Sequence, residues 1–319
     1  MSSLARQFGL GRAAYLLWHL PRGMVVESIR AGGPLEQWRT ERGRAAMEAA
    51  AWELPALPPA EGPALELHVL TGRRFWYQTA FCLWSFARAA GRELAPVVLD
   101  DGTLTPEFFR PIQRLFPKAR LDTETEIVQR LDEHLPAARF PSLRQRRLGF
   151  PLLRKITDVH AGLAGWRLFL DSDVLFFHRP TLLLDWLAHP TQCLRATDVE
   201  YAYGYSPELL AELAGRPVDE LVNTGILGLR SEEIDWERME YWCRSLIERA
   251  GPHYYQEQAL VALHLAGRSA VSAPLHDYVT YPKPSEVGAC RAVMHHYVAH
   301  SKRWYFQCNW RRALGPLGA

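Results

Sequence analysis

Apolar and polar positions fall along this chain in blocks that switch between the lengths of strands and those of helices. Residues 65–72, Leu65-Glu66-Leu67-His68-Val69-Leu70-Thr71-Gly72, form a short apolar run closed by a turn residue and predict a first strand. Residues 75–90 are long and amphipathic enough for a helix. Residues 95–102 predict a second strand, with Pro96 at its start, where a sheet tolerates the missing N–H. A helix over 106–116, a short third strand over 119–122 and a helical stretch over 151–162 follow. Next comes the strongest strand, Trp166-Arg167-Leu168-Phe169-Leu170. Strands alternating with helices imply an α/β fold: βαβ units and a mostly parallel central sheet with helices on both faces. In such sheets ligands sit beyond the carboxyl ends of the strands, so the residues just after each apolar run carry the interest.

Ahead of this pattern, residues 1–60 read as helical, interrupted at Gly32-Gly33-Pro34. The proline-rich stretch 54–63 reads as a linker. The chain thus divides into an N-terminal helical extension, 1–60, and a main domain, 61–319.

A 319-residue chain that is 48% hydrophobic and 23% charged is globular rather than disordered. Its net charge of +2 gives no field for nucleic-acid binding. Five scattered cysteines without a C-x-x-C pair fit a reducing compartment and offer no zinc site. No apolar run approaches the roughly 18 residues of a membrane span. No signal-peptide pattern opens the chain. A cytoplasmic protein is expected, with peripheral contact between the first helix and a membrane surface left open.

The chemistry begins after the strongest strand. Asp171-Ser172-Asp173 places two carboxylates between the apolar runs Leu168-Phe169-Leu170 and Val174-Leu175-Phe176-Phe177. Two unpaired carboxylates in a low-dielectric setting are costly, and a divalent cation removes that cost. Oxygen ligands select a hard ion such as Mg²⁺ or Mn²⁺, whose open positions accept a diphosphate. Three readings compete: the metal site of a nucleotide-sugar glycosyltransferase, a haloacid-dehalogenase-type phosphatase, and a solvated turn. Asp100-Asp101-Gly102-Thr103-Leu104 has the phosphatase's D-G-T-L ending, but its acids lack the required spacing and no later acidic pair follows an apolar strand.

Near the end stands His295-His296-Tyr297-Val298-Ala299-His300-Ser301-Lys302-Arg303-Trp304. A neutral imidazole can complete a metal shell begun by two carboxylates. Lysine is scarce here, only Lys118, Lys155, Lys283 and Lys302, so Lys302 beside this cluster marks a phosphate contact. Core packing or a plain surface position is the competing reading for these histidines.

Asp171-Ser172-Asp173 after its apolar strand resembles the D-x-D of GT-A fold glycosyltransferases. The span His296 to Trp304 is similar to the H-x-x-G-x-x-K-P-W motif of the retaining family 8 enzymes, with Ala299 in place of the Gly and Arg303 in place of the Pro. Asn223-Thr224-Gly225 matches that family's N-[ST]-G step, and Glu257-Gln258 approximates its D-Q pair. The resemblance runs from about residue 65 to 306, with the motifs in the family's order. It implies a metal-dependent hexosyl transfer from a nucleotide diphosphate donor, UDP favoured, to an acceptor hydroxyl with retention. Asp171, Asp173 and His296 would hold Mn²⁺ or Mg²⁺, with His295 as the alternative ligand. Lys302 would hold the donor diphosphate, and Asn223, Glu257 and Gln258 would face the donor sugar or the reaction centre. A non-catalytic nucleotide-sugar binder or scaffold on the same fold is the alternative from a different class.

Five further groups are candidates for function. Thr71, Arg73, Arg74 and Tyr77 lie past the first strand, where the family binds the base, and could equally be surface residues. Asp100 and Asp101 end the second strand, where they could take the ribose hydroxyls. Lys155 and Asp158, three apart on a helix, are either an exposed ion pair or a donor contact by Lys155. Asp198 follows a strand and is a candidate acceptor contact, and the aromatic residues supply either sugar platforms or core.

Overall fold

The computed structural model describes residues 32–60 and 62–315. The membrane-contact expectation, which concerns the first helix, lies outside the described residues. The first described helix, α1 (Pro34–Ala51), starts on Pro34 and buries Gly43, Met47 and Ala51. The strand β1 (Leu65–Thr71) leads into α2 (Trp76–Ala90), in which every residue except Arg88 is buried, and which ends on left-handed Gly91. Then come β2 (Leu94–Asp100), α3 (Pro106–Leu115), β3 (Arg120–Asp122), and α4 (Glu124–His134), which starts with a Thr123/Glu126 capping box. After α5 (Pro141–Gly149), the helical stretch expected over 151–162 is a 3₁₀ turn, Pro151–Leu153, running into α6 (Arg154–His160).

The strongest predicted strand is β4 (Trp166–Leu170). It is followed by β5 (Val174–Phe176), α7 (Thr181–Ala188), β6 (Cys193–Thr197), α8 (Pro207–Ala214) and β7 (Val222–Arg230). The chain continues through α9 (Trp236–Ala250), α10 (Gln256–Leu265), β8 (Ala270–Ser272), β9 (Tyr278–Thr280), α11 (Pro284–Ala289) and β10 (Met294–His296). A last helical run is α over Lys302–Trp304, π over Tyr305–Asn309 and α again over Trp310–Leu314.

Seven strands form the central sheet in the order β3-β2-β1-β4-β7-β6-β8. All pairings are parallel except those of β7, which runs against both β4 and β6. The expected mostly parallel sheet is therefore present, with one reversed strand. Two hydrophobic cores flank it. One joins α1 and α2 to the C-terminal run through Met47, Phe81, Tyr305 and Trp310. The other gathers α4, α6, α9 and α10 around Ile127, Ile156, Leu246 and Leu260.

The strand directions position the site. The carboxyl ends of β1, β2, β4 and β6 share one edge, so Thr71, Asp100, Asp171 and Asp198 meet there. Because β7 is reversed, it brings its beginning to that edge. The Asp171 N–H donates to the Gly225 carbonyl at 2.9 Å, and the Asp198 N–H donates to the Leu221 carbonyl at 2.9 Å. A second sheet, β5-β10-β9, has no counterpart in the sequence pattern. In it β10 runs antiparallel to β5, with His296 opposite Val174. The Tyr297 N–H donates to the Asp173 carbonyl at 2.9 Å, which extends the register to the acidic turn.

Candidate active site

The edge opens into a cavity of about 450 Å³, within the size range of small-molecule sites. Its floor is the acidic turn. Strand alternation in β10 turns His296 towards Asp171 and Asp173 and His295 away from them. His296 Nε2 lies 3.3 Å from Asp173 Oδ1 and 3.6 Å from Asp171 Oδ2. His295 is fully buried beside Phe177, its Nδ1 3.1 Å from the Tyr297 hydroxyl. Gly225 makes room for the His296 ring, since a Cβ there would fall 3.0 Å or closer to the ring and to Asn223. The glycine of the Asn223-Thr224-Gly225 step is thus the seat of the imidazole.

Two lysines offset the acids. Lys155 Nζ is buried, 2.7 Å from the carboxylate of Asp171 and 3.5 Å from Thr224 Oγ1. Burial alone would lower its pKa, but the charges of Asp171 and Glu257 outweigh burial and hold the ammonium charged. Lys302 Nζ lies 2.9 Å from Asp173 Oδ2, at the cavity wall. Asp173 resists desolvation because Lys302 and His296 keep its carboxyl well below the usual range. Lys155 does not pair with Asp158, as the exposed-pair reading required. Asp158 is fully buried on Arg147, whose Nε lies 2.7 Å away.

The far wall carries the remaining predicted residues in two hydrogen-bonded groups. Thr224 Oγ1 donates to Glu257 Oε2 at 3.1 Å, while Glu257 Oε1 is buried with no hydrogen-bond partner. Burial raises the Glu257 pKa to about 7, Lys155 opposing and Asp171 adding to the rise. Asn223 Nδ2 and Gln258 Nε2 both donate to Asp198 Oδ2, at 2.9 and 3.1 Å. The Val199 N–H donates to Asp198 Oδ1. Asn223, Thr224, Glu257, Gln258, Asp198 and Val199 all line the cavity.

At the nucleotide end the structure divides the expected residues. Thr71 and Asp101 line the cavity, and Thr71 Oγ1 is buried without a partner. Tyr77 does not line it; it is core, edge-on to Trp76, and its neighbours Phe75 and Gln78 line the wall instead. Asp100 is also turned away, its Oδ1 capping the N–H groups of Gly102 and Leu104. Arg73 and Arg74 are exposed and lie over Phe108 and Phe75.

Several lining residues carried no sequence signal. Tyr254 and Tyr255, 61% and 42% exposed, pack edge to face with ring centroids 5.1 Å apart. Tyr281 and Ala299 both adopt positive φ, 58° and 45°. Ala299 stands where the resembled motif has a glycine, and its backbone is left-handed.

Among the described residues, Asp171, Asp173 and His296 are the one group with three donor atoms in reach of a single ion, all within 4.8 Å of one another. The set fits a divalent cation. Two carboxylate oxygens and an imidazole nitrogen suit such an ion, and Lys302 already places a cationic group against Asp173.

No protein-family model matches the chain, and no curated protein matches it in sequence. Solved structures do match in fold. The apo WbbM bifunctional glycosyltransferase is 14% identical with a TM-score of 0.50, over 81% of this chain and 53% of that one. The chain therefore spans about half the length of that neighbour. Apo mouse xyloside xylosyltransferase 1 is 10% identical with a TM-score of 0.50, over 73% of this chain and 97% of the other. The galactosyltransferase LgtC, solved with donor and acceptor sugar analogues, is 15% identical with a TM-score of 0.50, over 80% of this chain and 97% of the other. The phosphatase reading of the acidic turn finds no support in these likenesses. No helix among the described residues is long and apolar enough to cross a membrane. The chain has a GT-A-type glycosyltransferase fold, the architecture that its sequence resemblance implies.

Proposed function

We propose that this protein is a metal-dependent glycosyltransferase. It moves a hexose from a nucleotide diphosphate, UDP favoured, to an acceptor hydroxyl, with retention as the family resemblance implies. The observation that carries the reading is the convergence of Asp171, Asp173, His296 and Lys302 at the floor of one cavity.

Asp171, Asp173 and His296 would hold Mn²⁺ or Mg²⁺. Such an ion supplies charge stabilisation to a departing diphosphate. Lys155 fixes the Asp171 carboxylate from behind. Lys302 exchanges Asp173 for a donor phosphate and neutralises the charge that builds as the glycosidic bond breaks. Thr71 Oγ1 and Asp101 offer polar partners to the nucleoside at the ends of β1 and β2. Asn223, Glu257 and Gln258 form the wall that orients the donor sugar. Asp198, held in place by three donors on its carboxylate, is set to grip an acceptor hydroxyl. The exposed rings of Tyr254 and Tyr255 offer flat apolar faces to a carbohydrate acceptor.

The test is UDP release from UDP-hexoses with Mn²⁺ present. Turnover by wild type and its loss by at least about 100-fold in Asp173→Ala and His296→Ala are expected. Wild-type turnover in both folded variants would overturn the metal assignment.

A further inference from the structure

The chain before residue 65 lies outside the family resemblance, yet α1 is built against the segment that carries Lys302. A Cβ on Gly43 would fall 2.3 Å from the Phe306 carbonyl oxygen and 2.8 Å from its carbon, so only glycine lets the two backbones meet. That carbonyl also accepts from Trp310 Nε1 at 2.8 Å and has little freedom to move away. One residue on, Gln307 Nε2 reaches two side-chain acceptors on α1, Glu36 Oε2 at 3.0 Å and Thr40 Oγ1 at 2.9 Å. These contacts fall on the π-helical segment Tyr305–Asn309, which continues directly from Lys302–Trp304. Single π turns inside α-helices are frequently found at functional sites. Inside the molecule, the Tyr305 hydroxyl points at the Ser172 carbonyl, 3.4 Å away in the acidic turn.

We propose that α1 is a positioning element of the donor-diphosphate site. Through Gly43 and Gln307 it fixes the helical run on which Lys302 stands, and so sets where the ammonium meets the β-phosphate. The inference rests on the donor reading above and adds to it a residue, Gln307, that does not touch the donor.

The β-phosphate is the discriminating handle. Binding of UDP and of UMP to the full chain, with Mn²⁺ present, separates phosphate positioning from general loosening. Gln307→Ala and Gly43→Ala should each weaken UDP about tenfold, the worth of one hydrogen bond to a charged group. UMP affinity should stay within twofold of wild type, and Arg42→Ala, an exposed change on the same helix, should alter neither. The Gln307→Ala/Lys302→Ala double variant should bind UDP no more weakly than Lys302→Ala alone, because the brace acts only through that lysine. If Gly43→Ala fails to fold, Gln307→Ala decides. UDP binding at wild-type strength in Gln307→Ala would overturn the proposal, as would equal losses for UDP and UMP or additive losses in the double variant. Failure of wild type to bind UDP at all would instead remove the donor reading, and this inference with it.

Discussion

The imidazole of His296 occupies the space that a side chain at Gly225 would need. A Cβ there would stand 2.3 Å from Cε1 and 2.5 Å from Nδ1, distances that real contacts do not reach. Gly225→Ala must therefore swing the ring out of line with Asp171 and Asp173. Mn²⁺ affinity measured by calorimetry should fall about 10- to 100-fold, the usual effect of disturbing a ligand's support. Gly149→Ala, with nothing within 4 Å of the new carbon, is the control.

Lys302 and a cation compete for Asp173. Lys302→Ala removes a positive charge 2.9 Å from that carboxylate. The variant should bind Mn²⁺ more tightly than wild type while binding UDP more weakly. Titrating the two ligands separately checks the opposite signs; a parallel loss of both would contradict the assigned roles.

Two pH dependences of stability should oppose each other in the metal-free protein. Burial raises Glu257 to about 7, so between pH 4.5 and 7 the folded state binds more protons than the unfolded chain, and stability falls as pH rises. Glu257→Gln should abolish this fall and gain about 3 kcal/mol over wild type at pH 8 relative to pH 4.5. Burial lowers His264 to about 4 and His68 to about 3. Here the unfolded chain binds the extra protons, so stability present above pH 6.5 is lost as pH falls towards 4. His264→Gln should shallow that acid slope by about one proton. Urea unfolding across pH 4.5–8 measures both.

Ala299 holds a left-handed backbone, φ 45°, that glycine adopts without strain. Ala299→Gly should leave folding intact or raise the thermal midpoint, the relief being about 1 kcal/mol. Ala299→Val should lower it, because a β-branched side chain is worse still in this conformation.

The three central strands β1, β2 and β4 were legible because they are long enough to show their pattern. β1, β2 and β4 fall within a residue or two of the runs that predicted them, and the helix between β1 and β2 begins one residue late. What escaped has physical reasons. β5, β9 and β10 have three residues each, too few for alternation to register, yet their pairing brings His296 to Asp173. The reversal of β7 depends on strand order, which no local run of residues encodes. Tyr77 and Gln78 are adjacent on one helix, and only the helix's rotation decides which of them faces the cavity. Asp100 and Asp101 both cap N–H groups of their own turn, and only the path of that turn decides that Asp101 lines the cavity.

The burial of Lys155 gives the four lysines of this chain unequal chemical lives. Lys118 and Lys283 stand in solvent and Lys302 is 41% exposed, whereas Lys155 is sealed against Asp171. An amine-acylating reagent will therefore tag Lys118 and Lys283 fastest, reach Lys302 more slowly because Asp173 holds its ammonium charged, and spare Lys155. Tagging of Lys302 becomes a footprint of whatever occupies the cleft.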